Sequence, residues 1–297
     1  MPVQTSASIT VGMDGSAGAL TALRWASGEA QQRGLGIHLL ACVFLPGVGY
    51  SPHVALSPPA LAVITEAMEA GLDRAGELVV EVCPGVAVSS ELVCAHPVDA
   101  LRDATSRSAL TVIGRRGAGG FRRLLAGSVA LGLPAHARGP VVVVPGTPPP
   151  PSGTAVVVGV SGEATDKAVL AAAYQAASFA GARLYAVHSW DDSPLFDPRL
   201  AKNPLIQQEI NRVQDEERRC LLEQLNGWAE QYPDVAVHPL SRRNSAAASV
   251  LDVADQENAA LIVVGSRGRG PIASALLGSV SRAIIQHSTH PVMIVPV

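Results

Sequence analysis

Short runs of apolar, largely β-branched residues alternate along this chain with longer stretches in which apolar positions recur every three or four residues. Ile9–Met13, Ile37–Val43, Val86–Val93, Leu110–Ile113 and Val141–Val144 belong to the first kind. Leu20–Gln32, Leu61–Val82, Val98–Arg107 and Val129–Ala137 belong to the second. These periods predict strands and helices in alternation, with Gly34 stopping the first helix. The strand runs are apolar at nearly every position, not at every second one. That pattern suits a parallel sheet buried by helices on both faces, an open α/β sandwich. A Pro- and Gly-rich stretch from Pro46 to Pro59 reads as a loop.

The same succession then repeats. VIGRRGAGGFRRLLAGSVA begins at Val112 and VVGSRGRGPIASALLGSVS at Val263. Gly114, Gly117 and Gly127-Ser128 of the first block return at constant separation as Gly265, Gly268 and Gly278-Ser279. Further upstream, Ile9-Thr-Val-Gly12-Met-Asp14 is matched by Val156-Val-Val-Gly159-Val-Ser161. Two copies are too few for a solenoid, so the chain reads as a duplicated domain. Between the copies lie four consecutive prolines, Pro148 to Pro151, which fit neither a helix nor a central strand. The expected organisation is a domain over 1–146, a stiff linker over 147–153 and a second domain over 154–297. In the second copy one long helix is expected over Leu205–Glu230, with a solvated charged face from Asp215 to Arg219. The final strand runs, Val141–Val144 and Val292–Val295, are apolar edges. Pairing them with each other would make the chain its own pseudo-dimer, with further homodimerisation left open.

Composition narrows the classes. Of 297 residues, 48% are hydrophobic and 16% charged, which excludes a disordered chain. Lys plus Arg number 22 against 25 Asp plus Glu, a net charge of −3, so no nucleic-acid partner is expected. Aromatics at 4% are too few for base-stacking platforms along a single strand. The four cysteines form no C-x-x-C and suit free thiols in a reducing cytoplasm. The N-terminal residues do not read as a signal peptide. No apolar run is long enough for a membrane span.

Both glycine blocks follow a predicted strand, Leu110–Ile113 or Leu261–Val264, and both end in Gly-Ser before a helix. Glycines let main chain approach a phosphate, their N–H groups converge, and a helix start adds a positive dipole end. Ser128 and Ser279 are candidate N-caps or phosphate ligands. Arg115, Arg116, Arg267 and Arg269 can add charge-assisted contacts. The P-loop, the G-x-G-x-x-G, G-x-S-x-G and H-E-x-x-H patterns are all absent. A glycine block alone also fits a plain strand-to-helix turn. His287 and His290 sit where a helix ends before Pro291 and read as groups at a helix C-terminus, not as metal ligands. His188 reads as a packed or hydrogen-bonded histidine.

The spacing Gly-x2-Gly-x9-Gly-Ser, after a strand ending Val-Gly-x-Asp-x-Ser, resembles the universal stress protein family, and the two copies resemble its tandem members. The resemblance covers 9–145 and 156–297. It implies a five-stranded parallel sheet of order 3-2-1-4-5 in each half, with ATP at the reversal between strands 1 and 4. It further implies little or no hydrolysis and a role in stress survival, dormancy or growth control. Carried over, Asp14 contacts the nucleoside and the main chain at Cys42 faces adenine. Gly12, Gly114, Arg116, Gly117, Gly127, Ser128 and Val129 complete the first site. Gly159, Ser189, Gly265, Arg267, Gly268, Gly278, Ser279 and Val280 form the second. Mg²⁺ is expected on the phosphates, without protein ligands, and the regulatory protein partner is unidentified.

This chain departs from the family pattern at three places. Ser161 replaces the expected acid in the second half, with Glu163 nearby as a candidate substitute. Pro134 falls inside the helix after the first glycine block, where it is expected to kink or shorten it. Ala95-His96-Pro97 lacks the family's glycine before proline. The two sites are therefore expected to be unequal, the first better for nucleoside and the second intact for phosphate. Two other readings stay open: a slow ATPase or phosphotransferase, and a nucleotide-independent interaction module.

Overall fold

The computed structural model describes residues 8–44, 57–118, 125–147, 154–163, 166–190, 203–267 and 276–297. Most of the Pro46–Pro59 loop, nearly all of the proline linker, Gly268 and Arg269 lie outside the described residues. The chain divides into two compact units, Met1–Thr147 and Pro148–Val297.

The first unit contains β1 (Ser8–Met13), α1 (Ala17–Arg33), β2 (Gly36–Cys42), α2 (Pro58–Val82), β3 (Val88–Val93), α3 (Pro97–Thr105), β4 (Leu110–Gly114), α4 (Ser128–His136) and β5 (Val141–Val144). Its strands are parallel and ordered β3-β2-β1-β4-β5. The second contains β6 (Ala155–Val160), α5 (Asp166–Ala180), β7 (Arg183–Trp190), α6 (Pro204–Leu225), α7 (Trp228–Gln231), β8 (Val237–Arg243), α8 (Ala246–Gln256), β9 (Leu261–Gly265), α9 (Ser279–His287) and β10 (Val292–Val295). It repeats the order as β8-β7-β6-β9-β10, again parallel. Both units thus have the 3-2-1-4-5 arrangement implied by the resemblance.

The continuous apolar runs form the inner strands because both sheet faces are covered. Every residue of β5 is buried, and so is every residue of β10. In the first unit α1 packs with α2, and α3 with α4; in the second α8 packs with α9. Local signals set the helix ends. Ser16 Oγ accepts the Ala19 N–H at 3.1 Å to start α1. Gly34, at φ +64°, ends it by letting the Leu35 N–H reach the Ala30 carbonyl at 2.9 Å.

Two expectations need correction. The long helix of the second half is not continuous to Glu230. It stops at Asn226, and Gly227 at φ +83° turns the chain before the short α7. A glycine in the left-handed region cannot continue a helix, and Asn-Gly is a turn signal. Pro134 does not shorten α4, which spans nine residues, as does its counterpart α9. Pro134 sits two residues from the helix end, so it removes only the N–H that would have reached Ala130, and its ring is buried.

Candidate functional site

A crevice opens in each unit where the strand order reverses. β1 pairs with β2 through Met13, but its ladder with β4 ends at Val11 and Val112. In the second unit β6 pairs with β7 through Val160, while its ladder with β9 ends at Val158 and Val263. Gly12 and Gly159 are the next residues. A Cβ on Gly12 would lie 3.0 Å from Ile113 Cγ2, and one on Gly159 3.0 Å from Val264 Cγ1. The missing side chain leaves room at the crevice for the Ile113 and Val264 side chains. This is the place where open parallel sheets hold ligands.

In the first unit the crevice widens into a cavity of about 570 Å³. It gathers Gly12, Asp14, Cys42, Gly114, Arg116, Gly117, Gly127, Ser128 and Val129, every first-half residue singled out from the sequence. In the second unit a cavity of about 510 Å³ gathers Gly159, Ser189, Gly265, Arg267, Gly278, Ser279 and Val280. Gly268 lies outside the described residues.

The two glycine turns share one main-chain frame. The Arg115 N–H donates to the Val144 carbonyl at 2.8 Å, and the Gly127 N–H donates back to the Arg115 carbonyl at 2.9 Å. The Ser266 N–H to Val295 and the Gly278 N–H to Ser266 repeat this at 2.7 and 2.9 Å. Each Gly-Ser pair is therefore drawn back beside the end of its strand. The N-caps are Gly127 and Gly278, not Ser128 and Ser279, and neither cap makes a side-chain bond. The serines are the first helical residues. Helices capped by glycine leave their first N–H groups without a side-chain acceptor, and the starts of α4 and α9 line the cavities.

Asp14 Oδ1 accepts the Ser16 N–H at 3.0 Å, and its Oδ2 accepts the Ala118 N–H of the glycine turn at 2.7 Å. Arg115 and Arg116 bring positive charge to the same cavity. Burial, and then the neighbouring Arg116, lowers the Arg115 pKa below the usual guanidinium value. Burial, helped by the Glu91 carboxylate, pushes the Cys42 thiol up to about 11, so it is neutral at ordinary pH. The turn fits closely against the start of α1: a Cβ on Gly18 would collide with the Arg116 carbonyl, and one on Gly114 would lie 2.6 Å from the carbonyl carbon of Gly18. Gly18 carried no signal in the sequence, because only its spatial neighbour makes it necessary.

The second cavity has its own acid. Asp166, the first residue of α5 and 5% exposed, lines it, whereas Glu163 does not. The Asp166 carboxylate accepts the N–H groups of Ser161, Gly162 and Glu163 at 2.9, 2.7 and 3.0 Å, and the Ser161 hydroxyl at 3.0 Å. The acid missing from the strand end is thus supplied five residues later. Phe44, exposed at the lip of the first cavity, was also not singled out; its ring meets His96 edge-on at 4.8 Å.

Of the histidines weighed from the sequence, His287 lies in the last turn of α9 as expected, and His188 and His290 are held within the fold. His188, 1% exposed, places Nδ1 3.0 Å from the Val160 carbonyl and Nε2 2.6 Å from Glu217. His290 is buried and bonds the Ala259 carbonyl through Nδ1 at 2.7 Å and Asp255 through Nε2 at 3.0 Å. It therefore lies beyond the end of α9, clamped between segments, and is not a group at that helix's C-terminus as expected. No helix among the described residues is long and apolar enough to cross a membrane.

Comparison with known proteins agrees with this fold. The universal stress protein family model matches residues 6–145 and again 154–296. A universal stress protein of Mycobacterium tuberculosis strain H37Rv is 33% identical over 314 residues, covering 98% of this chain and 95% of that protein. One from Mycolicibacterium smegmatis is 34% identical over 302 residues, covering 98% and 97%. Among solved structures, a universal stress protein from Archaeoglobus fulgidus superposes with a TM-score of 0.69 at 20% identity, over 99% of this chain and 97% of that one. With the family motif present twice, each copy at a strand-order reversal, and relatives aligned along almost the whole length, this chain belongs to the universal stress protein family.

Proposed function

We propose that the protein is an ATP-binding regulator in stress response, with one adenine nucleotide site per domain and little or no hydrolysis. The observation that carries this reading is the meeting, in each cavity, of a glycine turn, a helix start without a side-chain cap and one carboxylate. Main-chain N–H groups of the turn and helix start suit phosphate, a carboxylate suits ribose hydroxyls, and the ends of β2 and β7 at Cys42 and Ser189 offer main chain to adenine. Arg116 and Arg267 add charge beside the phosphates.

Among the described residues each cavity is lined by one carboxylate, Asp14 or Asp166, and no group of three His, Cys, Asp or Glu could hold a metal. That donor set does not fit a protein-held cation, so Mg²⁺ would travel with the phosphates. Hydrolysis needs a base and a charge clamp at the γ-phosphate, and the glycine turns present arginines but no carboxylate of their own. The signal passed on would be a change at these turns, read by a protein partner.

Calorimetry of the full chain with MgATP tests this. Two unequal sites are expected. Asp14→Ala and Gly117→Ala should each weaken the first by about tenfold or more, roughly 1.4 kcal/mol, and spare the second. Absence of heat and of thermal shift at millimolar ATP would overturn the reading.

A further inference from the structure

Ala118 lines the first cavity, and an anion belonging to the chain already holds its N–H. Asp14 Oδ2 lies 2.7 Å from that nitrogen, a distance typical of a strong charge-assisted bond. The same oxygen sits against Gly117 so closely that a Cβ there would collide with it. The other oxygen is held by the Ser16 N–H at 3.0 Å. Asp14 therefore ties the glycine turn to the β1–α1 turn, and the packing of Gly18 beneath the Arg116 carbonyl seats the turn from the other side.

The second domain uses its acid differently. Among the described residues, the four donors to Asp166 all come from residues 161–163, its own strand-to-helix turn. Ser161, in the place of Asp14, directs its hydroxyl to Asp166.

We propose that Asp14 is a latch that makes the first site selective for nucleotides over bare phosphates. A phosphate cannot share the Ala118 N–H with a carboxylate, because two anions on one donor repel. Asp14 must let go, and it does so without loss only when another donor replaces Ala118. The hydroxyls of a ribose provide such donors; a polyphosphate without a nucleoside has none. The second site, whose acid among the described residues holds only its own turn, is expected to make no such distinction. This proposal rests on the nucleotide reading for its biological meaning, but its test is separable.

The probe is inorganic tripolyphosphate, titrated into the full chain. Wild type is expected to bind one per chain, at the second site. Asp14→Ala should bind two, the new site at least about tenfold tighter than any residual wild-type binding there. Asp14→Asn, which loses the charge but keeps an acceptor, should fall between. Amide hydrogen exchange at Ala118 should be protected in wild type and fast in Asp14→Ala, while the β4 amides stay protected and report that the first domain is folded. Unchanged tripolyphosphate stoichiometry and affinity in Asp14→Ala, whatever ATP does, would overturn the latch. A gain in tripolyphosphate binding with no ATP binding to either protein would uphold Asp14 as a bar to polyphosphate but overturn its selectivity for nucleotides, and with it the nucleotide reading. Intact ATP binding with no such gain would do the reverse.

Discussion

The Ser161 hydroxyl donates to both oxygens of the Asp166 carboxylate, at 3.0 and 3.1 Å. Three successive main-chain N–H groups converge on Oδ2 of the same acid. The result is a small anion nest filled by a side chain from the start of α5, 5% exposed. The turn that should carry the family's acid is instead organised around one.

Asp166→Ala should therefore destabilise the second domain by about 3 kcal/mol, because it strands several part-buried donors at once. Ser161→Ala removes one donor and leaves the carboxylate three others, so about 1 kcal/mol is expected. Urea unfolding, with the second domain's transition resolved by hydrogen exchange of β6, measures both. Equal costs for the two variants would refute the nest.

Two glycines of α1 should respond with opposite signs. Ala ordinarily stabilises a helix by roughly 0.5–1 kcal/mol over Gly. A methyl group on Gly28 would have nothing within 4 Å of it, so Gly28→Ala should raise the melting temperature. At Gly18 the methyl meets the Arg116 carbonyl, so Gly18→Ala should lower it by displacing the glycine turn, at a cost of about 2 kcal/mol. The same variant should weaken ATP at the first site.

The Cys42 thiol carries a pH prediction. Its pKa is raised in the folded protein, chiefly by burial, from 9.0 to about 11. Between those values the unfolded chain loses the proton first, so stability is full below pH 9 and declines as pH rises toward 11. Cys42→Ala should flatten that decline. At pH 8 a thiol reagent should modify the exposed Cys94 well before Cys42, and ATP should slow Cys42 further.

Ser189 lines the second cavity, and its Oγ is sheltered with no hydrogen-bond partner among the described residues. Ser189→Ala should leave stability unchanged or raise it by up to about 1 kcal/mol. If ATP affinity at the second site also stays constant, adenine is met there by main chain alone. A drop would assign the hydroxyl to the ligand.

The strands and the glycine turns were legible because their signals are local. Val141–Val144 can hardly be anything but a buried strand, and Gly114, Gly117 and Gly127 recur at fixed spacing in the second copy. What escaped notice depends on neighbours distant in sequence or on competing local signals. Gly18 is one more small residue in an alanine-rich helix until Arg116 is laid on it. Asp166 looks like an ordinary acid in a first helical turn, and its burial is visible only in space. Asn226-Gly227 was a readable turn signal overridden by the helical period around it. Gly127 rather than Ser128 caps α4 because its N–H is drawn back to the Arg115 carbonyl.

The paired frames at Arg115–Gly127 and Ser266–Gly278 are built from peptide groups alone. Identity at the first position of each is thus uncoupled from the geometry it sets, and an arginine and a serine occupy equivalent places without changing the frame. A duplicated gene with such a scaffold can drift in charge and selectivity at one lobe while the other keeps the ancestral task.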